Sequence, residues 1–231
     1  MSAIGILGGM GPQASARLYE LLIAGTKAYI PSAIDSDYPE IVLLSVPIPN
    51  FISNKNDLEK AKQMLIARTL LLEEAGSIVN GMVCNTAHIL LPHLEPITKV
   101  PFLSIPDLAA KEVKHRGYER VGLLGSPTTL SSNLYDNALN NIATVVKPRK
   151  KAAKQAEGYI YKQLQNNIKS TDTQAFRKLV KDFKQSENLD AVILGCTELP
   201  LVYGKASNDV IDTLQLLSDG LLEAYFKHSM V

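Results

Sequence analysis

The chain of 231 residues holds two cysteines, Cys84 and Cys196. They stand in the runs Val83-Cys84-Asn85-Thr86-Ala87-His88 and Leu194-Gly195-Cys196-Thr197-Glu198-Leu199-Pro200. In both, an apolar run ends at the cysteine and polar side chains follow. A thiolate is a base and a thiol is an acid. Two opposed cysteines therefore suit removal of a proton from one face of a carbon and delivery to the other, with the roles exchanged for the reverse reaction. The amide and hydroxyls of Asn85, Thr86 and Thr197 can hold a carboxylate or orient a thiol. A helix starting just after each cysteine favours thiolate over thiol. Glu198 can orient a thiol or an ammonium, and it also has a plain capping account. Buried strand-end cysteines are common because cysteine packs as a small hydrophobe. For either cysteine alone that account is the better one. For both together, at equivalent places with polar followers, chemistry is favoured. Cys84 and His88 stand at i, i+4 without a third ligand nearby, so zinc is not expected. His88 reads as a packed helix residue, outside the catalytic set.

Two further stretches bear on a ligand. Gly8-Gly9-Met10-Gly11-Pro12 is a glycine turn before a helical pattern. Such a turn can cradle phosphate or carboxylate, or can simply be tight. It lacks the Lys-Ser/Thr of a P-loop and the spacing of a dinucleotide fingerprint. Gly125-Ser126-Pro127-Thr128-Thr129 holds the corresponding place later in the chain, where Ser126 and Thr129 can meet a ligand or cap the following helix.

The elements that must position these residues follow from apolar periodicity. Strands are expected at 3–7, 41–46, 77–84, 102–105, 121–126 and 191–195. Helices are expected at 13–28, 57–75, from Asn85 until Pro92 interrupts it, 106–116 and 213–226. Strands separated by helical patterns imply parallel pairing. Val121-Gly122-Leu123-Leu124-Gly125-Ser126 repeats the character of Ile4-Gly5-Ile6-Leu7-Gly8-Gly9, and the second cysteine follows at nearly the same spacing as the first. The fold class is thus α/β with two similar parallel-sheet domains, 1–106 plus 208–231 and 107–207. Ligands bind beyond the carboxyl ends of such strands, where both cysteines stand.

Composition sets the outer bounds. Apolar residues make up 46% and charged residues 20%, enough for a core without metal or disulfide staples. The net charge of +1 argues for neither a nucleic acid nor a membrane partner. The basic run Lys147, Arg149, Lys150, Lys151, Lys154 reads as a solvated loop or helix start. No apolar stretch is long enough for a membrane span. The N-terminus has no signal-peptide pattern, and two cysteines in such a chain fit a reducing, cytoplasmic setting.

The IGILGGMGP run from Ile4 to Pro12, the CNTAH motif from Cys84 and the GCTELP motif from Gly195 resemble the aspartate/glutamate racemase family, in its aspartate racemase branch. Val210-Ile211-Asp212-Thr213 resembles that family's C-terminal strand and helix start. The resemblance covers essentially the whole chain. It implies two Rossmann-like domains related by a pseudo-twofold with the site between them, and a racemase needing neither pyridoxal phosphate nor metal. It implies Cys84 and Cys196 as catalytic residues. Met10, Asn85, Thr86, Ser126, Thr129 and Thr197 then contact the substrate, with Glu198 completing the set. Relatives are usually homodimers. Two positions depart from the pattern. Where aspartate-specific relatives often carry arginine in a Pro-Asp-Arg stretch, this chain reads Pro49-Asn50-Phe51, and Gln165 takes the place of a lysine, with Lys162 one turn earlier. The expected activity is cofactor-independent racemisation of aspartate, glutamate or a related amino acid. Hydantoin racemisation, maleate isomerisation or decarboxylation on the same scaffold, and a catalytically silent binder of small carboxylates, are the alternatives.

Overall fold

The computed structural model describes residues 2–49, 55–204 and 207–229. The chain forms two units, Met1–Ser104 with Leu214–Val231, and Ile105–Thr213.

The first unit opens with β1 (Ala3–Gly8), α1 (Pro12–Thr26), β2 (Glu40–Ser45), α2 (Lys55–Glu74), β3 (Ser77–Met82), the single turn α3 (Leu91–Leu94) and β4 (Phe102–Leu103). The sheet runs β2-β1-β3-β4, and every pairing is parallel. β1 is buried along its whole length, which is why it reads as a continuous apolar run rather than an alternating one. α2 turns Ala61, Leu65 and Leu72 inward at helical spacing. They join Leu7, Met82, Ala87 and Leu94 in one core. Each buried leucine there contributes about 1.5–3 kcal/mol of transfer free energy.

The second unit contains α4 (Ile105–His115), β5 (Arg120–Gly125), α5 (Pro127–Ser131), α6 (Leu134–Ala138), β6 (Thr144–Val146), α7 (Lys150–Leu164), α8 (Ser170–Ser186), β7 (Ala191–Gly195), α9 (Glu198–Tyr203) and β8 (Val210–Asp212). Its sheet runs β6-β5-β7-β8, again all parallel. Strand for strand this repeats the order of the first sheet. α8 buries Phe176, Val180 and Phe183 on one face, against Leu124, Val192 and Leu194 of the sheet. The start of β5 is clamped to β7 by Asp190, whose carboxylate accepts the amides of Glu119 and Arg120 at 2.8 and 2.9 Å. α10 (Thr213–Ser229) then returns to the first unit, where Leu217 and Leu221 press on Gly81 so closely that a β-carbon there would sit 3.0–3.3 Å from their methyl groups.

Several boundaries differ from the sequence reading. β3 ends at Met82 rather than Cys84, and Ile105 starts α4 instead of ending β4. After Cys84 there is no continuous helix. A 3-10 segment at Thr86–Leu90, the turn α3 and a second 3-10 segment at Glu95–Ile97 follow one another. Pro92 and Pro96 lack the amide hydrogens a continuous α-helix needs, so the backbone advances in short pieces. β6 was not anticipated; an edge strand of three residues carries too little pattern to read. The return to the first unit comes at Leu214 rather than at 208, because β8 hydrogen-bonds to β7 and stays with the second sheet. Among the described residues no helix is long and apolar enough to cross a membrane.

Candidate active site

In the first unit the chemistry gathers where β1 and β3 end. Leu7 pairs with Met82, and the Val83 amide donates to the Leu7 carbonyl at 2.9 Å, extending the pairing one step past the strand. The next amide, that of Cys84, turns back to the Met82 carbonyl at 2.9 Å. The chain thus leaves the sheet at Cys84, and its thiol sits half-buried at the edge of the apolar cluster. Met10, from the glycine turn after β1, packs against that same cluster. Asn85, Thr86 and His88 follow and are all buried. His88 Nδ1 lies 2.8 Å from the carbonyl oxygen of Cys84. A carbonyl only accepts, so Nδ1 carries a proton and acts as donor.

The glycine turn is held by contacts of its own. Gly9 has φ +87°, and a β-carbon there would lie 2.7 Å from the Val46 carbonyl oxygen, so only glycine fits. Its amide donates to Ser15 Oγ at 2.9 Å, and Ser15 Oγ donates to the Gly11 carbonyl at 3.1 Å. The turn thus spends one of its donors on its own buried serine, a residue the sequence did not single out. Its contribution to the site is to deliver Met10.

In the second unit the paired residues Gly125 and Gly195 end β5 and β7. Ser126 and Cys196 are therefore the first residues off two adjacent strands. Ser126 caps α5: the Thr129 amide donates to its Oγ at 3.1 Å, and its hydroxyl donates to Thr129 Oγ1 at 3.1 Å. Both are buried, so the capping account of these hydroxyls is met in full. Cys196 is 8% exposed, and its thiol donates to Glu198 Oε2 at 2.9 Å. The Thr197 hydroxyl donates to the same oxygen at 3.3 Å. Burial pushes the Glu198 carboxyl above the ordinary carboxylate range, while the hydrogen bond from Cys196 works in the opposite sense. Its second oxygen, Oε1, is buried and accepts no hydrogen bond among the described residues.

One residue near this thiol was missed. Tyr135, on α6, is fully buried, and its ring lies 3.5 Å from where a β-carbon on Gly195 would stand. Its phenol is held well above its usual range, first by burial and then by charge at Cys196. No periodicity flags it, because α6 is a five-residue helix entered through Asn133 at φ 58°.

The positions expected to read the substrate side chain fare differently. Phe51 lies outside the described residues. Gln165 is exposed at the C-terminal end of α7, and Lys162 forms an ion pair with Asp172 at 2.6 Å. Among the described residues no cluster of three His, Cys, Asp or Glu side chains is placed to hold a metal. Neither cysteine is in a disulfide.

Comparison with known proteins bears on this arrangement. The family model for Asp/Glu/hydantoin racemase matches residues 7–219. The broad specificity amino-acid racemase RacX of Bacillus subtilis (strain 168) is 26% identical over 227 residues, covering 97% of this chain and 99% of that protein. The crystal structure of an aspartate racemase homologue from Pyrococcus horikoshii OT3 superposes with a TM-score of 0.80 at 29% identity, covering 98% of this chain and 100% of the other. The aspartate racemase of Picrophilus torridus gives a TM-score of 0.79 at 29% identity, covering 98% and 95% of the two chains.

Proposed function

The chain belongs to the Asp/Glu/hydantoin racemase family, and on that premise we propose that it racemises amino acids by a two-base mechanism in which Cys84 and Cys196 exchange protons with the α-carbon. The observation that carries this reading is positional. β3 and β7 occupy the same place in two sheets of identical strand order, and just past the end of each stands a cysteine followed by buried polar side chains. A structural cysteine needs no such repetition.

In the forward reaction one sulfur enters as thiolate and takes the α-hydrogen as a proton: the C–H bond breaks and an S–H bond forms. The electron pair left behind spreads into the substrate carboxylate, which takes on enolate character. The side chains of Asn85, Thr86 and Thr197 are placed in this reading to steady that charge. The other cysteine gives its thiol proton to the opposite face of the carbon. The enzyme ends with the sulfur that began as thiolate protonated and the donor sulfur as thiolate, ready for the reverse reaction. The α-proton is a weak acid, so exclusion of water around these buried groups must carry part of the barrier. No step in this scheme calls for pyridoxal phosphate or a metal. The family resemblance also points to a cytoplasmic homodimer.

The substrate is an amino acid with a free carboxylate. Strict selection of aspartate calls for a cation dedicated to the side-chain carboxylate. Gln165 is neutral and exposed, and Lys162 is already paired with Asp172. Acceptance of aspartate, glutamate and related amino acids fits these two residues better than a single dicarboxylate, in keeping with the name of the Bacillus relative. Incubation of the protein in heavy water with each of a panel of amino acids tests the reading. Deuterium should appear on the α-carbon as optical activity is lost. Absence of α-deuterium across the whole panel overturns it, and binding without exchange points to a carboxylate-binding protein instead.

A further inference from the structure

One feature of Cys196 is not required by the two-base reading. Cys196 is tied to a carboxylate: its thiol donates to Glu198 Oε2 at 2.9 Å. Glu198 is itself 4% exposed, and its other oxygen, Oε1, is buried with no hydrogen-bond partner among the described residues. A buried carboxylate oxygen left unsatisfied is costly, and native structures keep few of them. The carboxylate also meets its own backbone amide at the helix start, a contact that needs no burial. The helix that Glu198 begins has six residues, and an exposed glutamate could interact with its own amide there without the cost of burial. The cost is explained if the carboxylate serves the thiol beside it.

We propose that Glu198 is the positioning residue of Cys196: its carboxylate takes the thiol hydrogen through Oε2, fixes the direction of Sγ, and keeps the proton on sulfur in the resting protein. This rests on the two-cysteine reading above and deepens it. Cys196 then rests as the acid. The Thr197 hydroxyl, donating to the same oxygen at 3.3 Å, holds the carboxylate in place. Tyr135, packed at the end of β7 from α6, is a second titratable group coupled to Cys196, and its burial keeps it a neutral phenol. A negative carboxylate beside the sulfur disfavours a second negative charge on Cys196.

The test uses the full chain with 13Cβ-labelled cysteine, which gives one resonance for each of the two cysteines. Cys84→Ser removes one resonance and assigns the other to Cys196. In that chain the Cys196 resonance should titrate above the ordinary thiol value of about 8.5. Adding Glu198→Gln should lower the midpoint by about one unit, a tenfold change in the proton affinity of the sulfur. A midpoint at or below the ordinary value with Glu198 in place overturns the proposal, even if the Gln variant fails to fold. An unchanged midpoint in a folded Gln variant overturns it as well. The titration needs no substrate, so the two readings fail separately. A raised midpoint in a protein that exchanges no α-deuterium sinks the racemase reading alone. Normal exchange with an ordinary midpoint sinks the role of Glu198 alone.

Discussion

Gly125 and Gly195 stand opposite each other at the ends of β5 and β7, and the carbonyl oxygen of Gly195 lies 2.7 Å from where a β-carbon on Gly125 would be. The obstacle is backbone, so it cannot rotate away. The Thr129 methyl, 3.3 Å from the same point, closes a second side. Gly125→Ala must therefore push two strand ends apart just where Ser126 and Cys196 leave the sheet. Overpacking of this kind costs about 1–3 kcal/mol. Urea denaturation should show that loss, together with a fall in α-deuterium exchange. Unchanged stability would mean the strand ends are less closely apposed than this.

A similar squeeze occurs in the first unit, against a side chain instead of the backbone. The Asn80 carboxamide fills the space a β-carbon on Gly5 would need, with Ser77 Cβ 2.9 Å from that point. Neither Asn80 Oδ1 nor Nδ2 makes a hydrogen bond among the described residues. Gly5→Ala should cost about 1–3 kcal/mol by itself and much less in an Asn80→Ala background. The coupling energy of the double-mutant cycle measures this directly; simple additivity would contradict the contact.

The pH dependence of stability carries the mark of Glu198. Burial raises its carboxyl above the ordinary value of 4.5 in the folded chain. A group raised on folding contributes stability that is fully present below its unfolded value and is lost as pH rises through its folded value. Wild-type protein should therefore lose this contribution as pH rises above about 4.5 and on through the folded value. Glu198→Gln removes the titrating group, so the stability of the variant relative to wild type should be more favourable at pH 7 than near pH 4.5. Denaturation of both proteins at the two pH values gives the comparison, and a difference independent of pH would contradict the raised carboxyl.

The two cysteines should be individually necessary. Cys84→Ser and Cys196→Ser should each lower racemisation by about 10²–10⁴-fold, the usual worth of a positioned acid or base. Each variant should still wash the α-proton out of one enantiomer only, and the two should choose opposite enantiomers. Chiral chromatography of heavy-water incubations reads both outcomes. Normal racemisation by either variant is incompatible with a two-base mechanism.

His88 serves the Cys84 backbone through its 2.8 Å contact with the carbonyl. His88→Ala leaves a buried carbonyl short of a donor and should cost about 1–3 kcal/mol. The wild-type ring should show its protonated, pyrrole-type nitrogen at Nδ1 in a long-range 1H–15N spectrum. An unprotonated Nδ1 would contradict the contact.

Much of this protein is legible in one dimension. The continuous apolar runs of β1 and β7, and the mostly apolar β3 and β5, announce buried parallel strands, and the repeated run at Val121 announces a second sheet. The positions of Cys84 and Cys196 just past two of those strands follow from the same pattern. These features are local, because strand and helix periods are set by each segment's own backbone and by the apolar faces it must hide.

What the tertiary structure alone decided concerns partners. That the Gly9 amide goes to Ser15, that Tyr135 from a five-residue helix comes to lie against the end of β7, and that Pro92 and Pro96 break the segment after Cys84 into short pieces carry no periodic signal. The bond from Cys196 to Glu198 spans only two residues, yet sequence left its role open between capping, ammonium and thiol. The choice depended on burial: in water a glutamate at a helix start has many partners, whereas here the surrounding chain removes solvent and leaves its carboxylate the thiol of Cys196, the hydroxyl of Thr197 and the helix start itself.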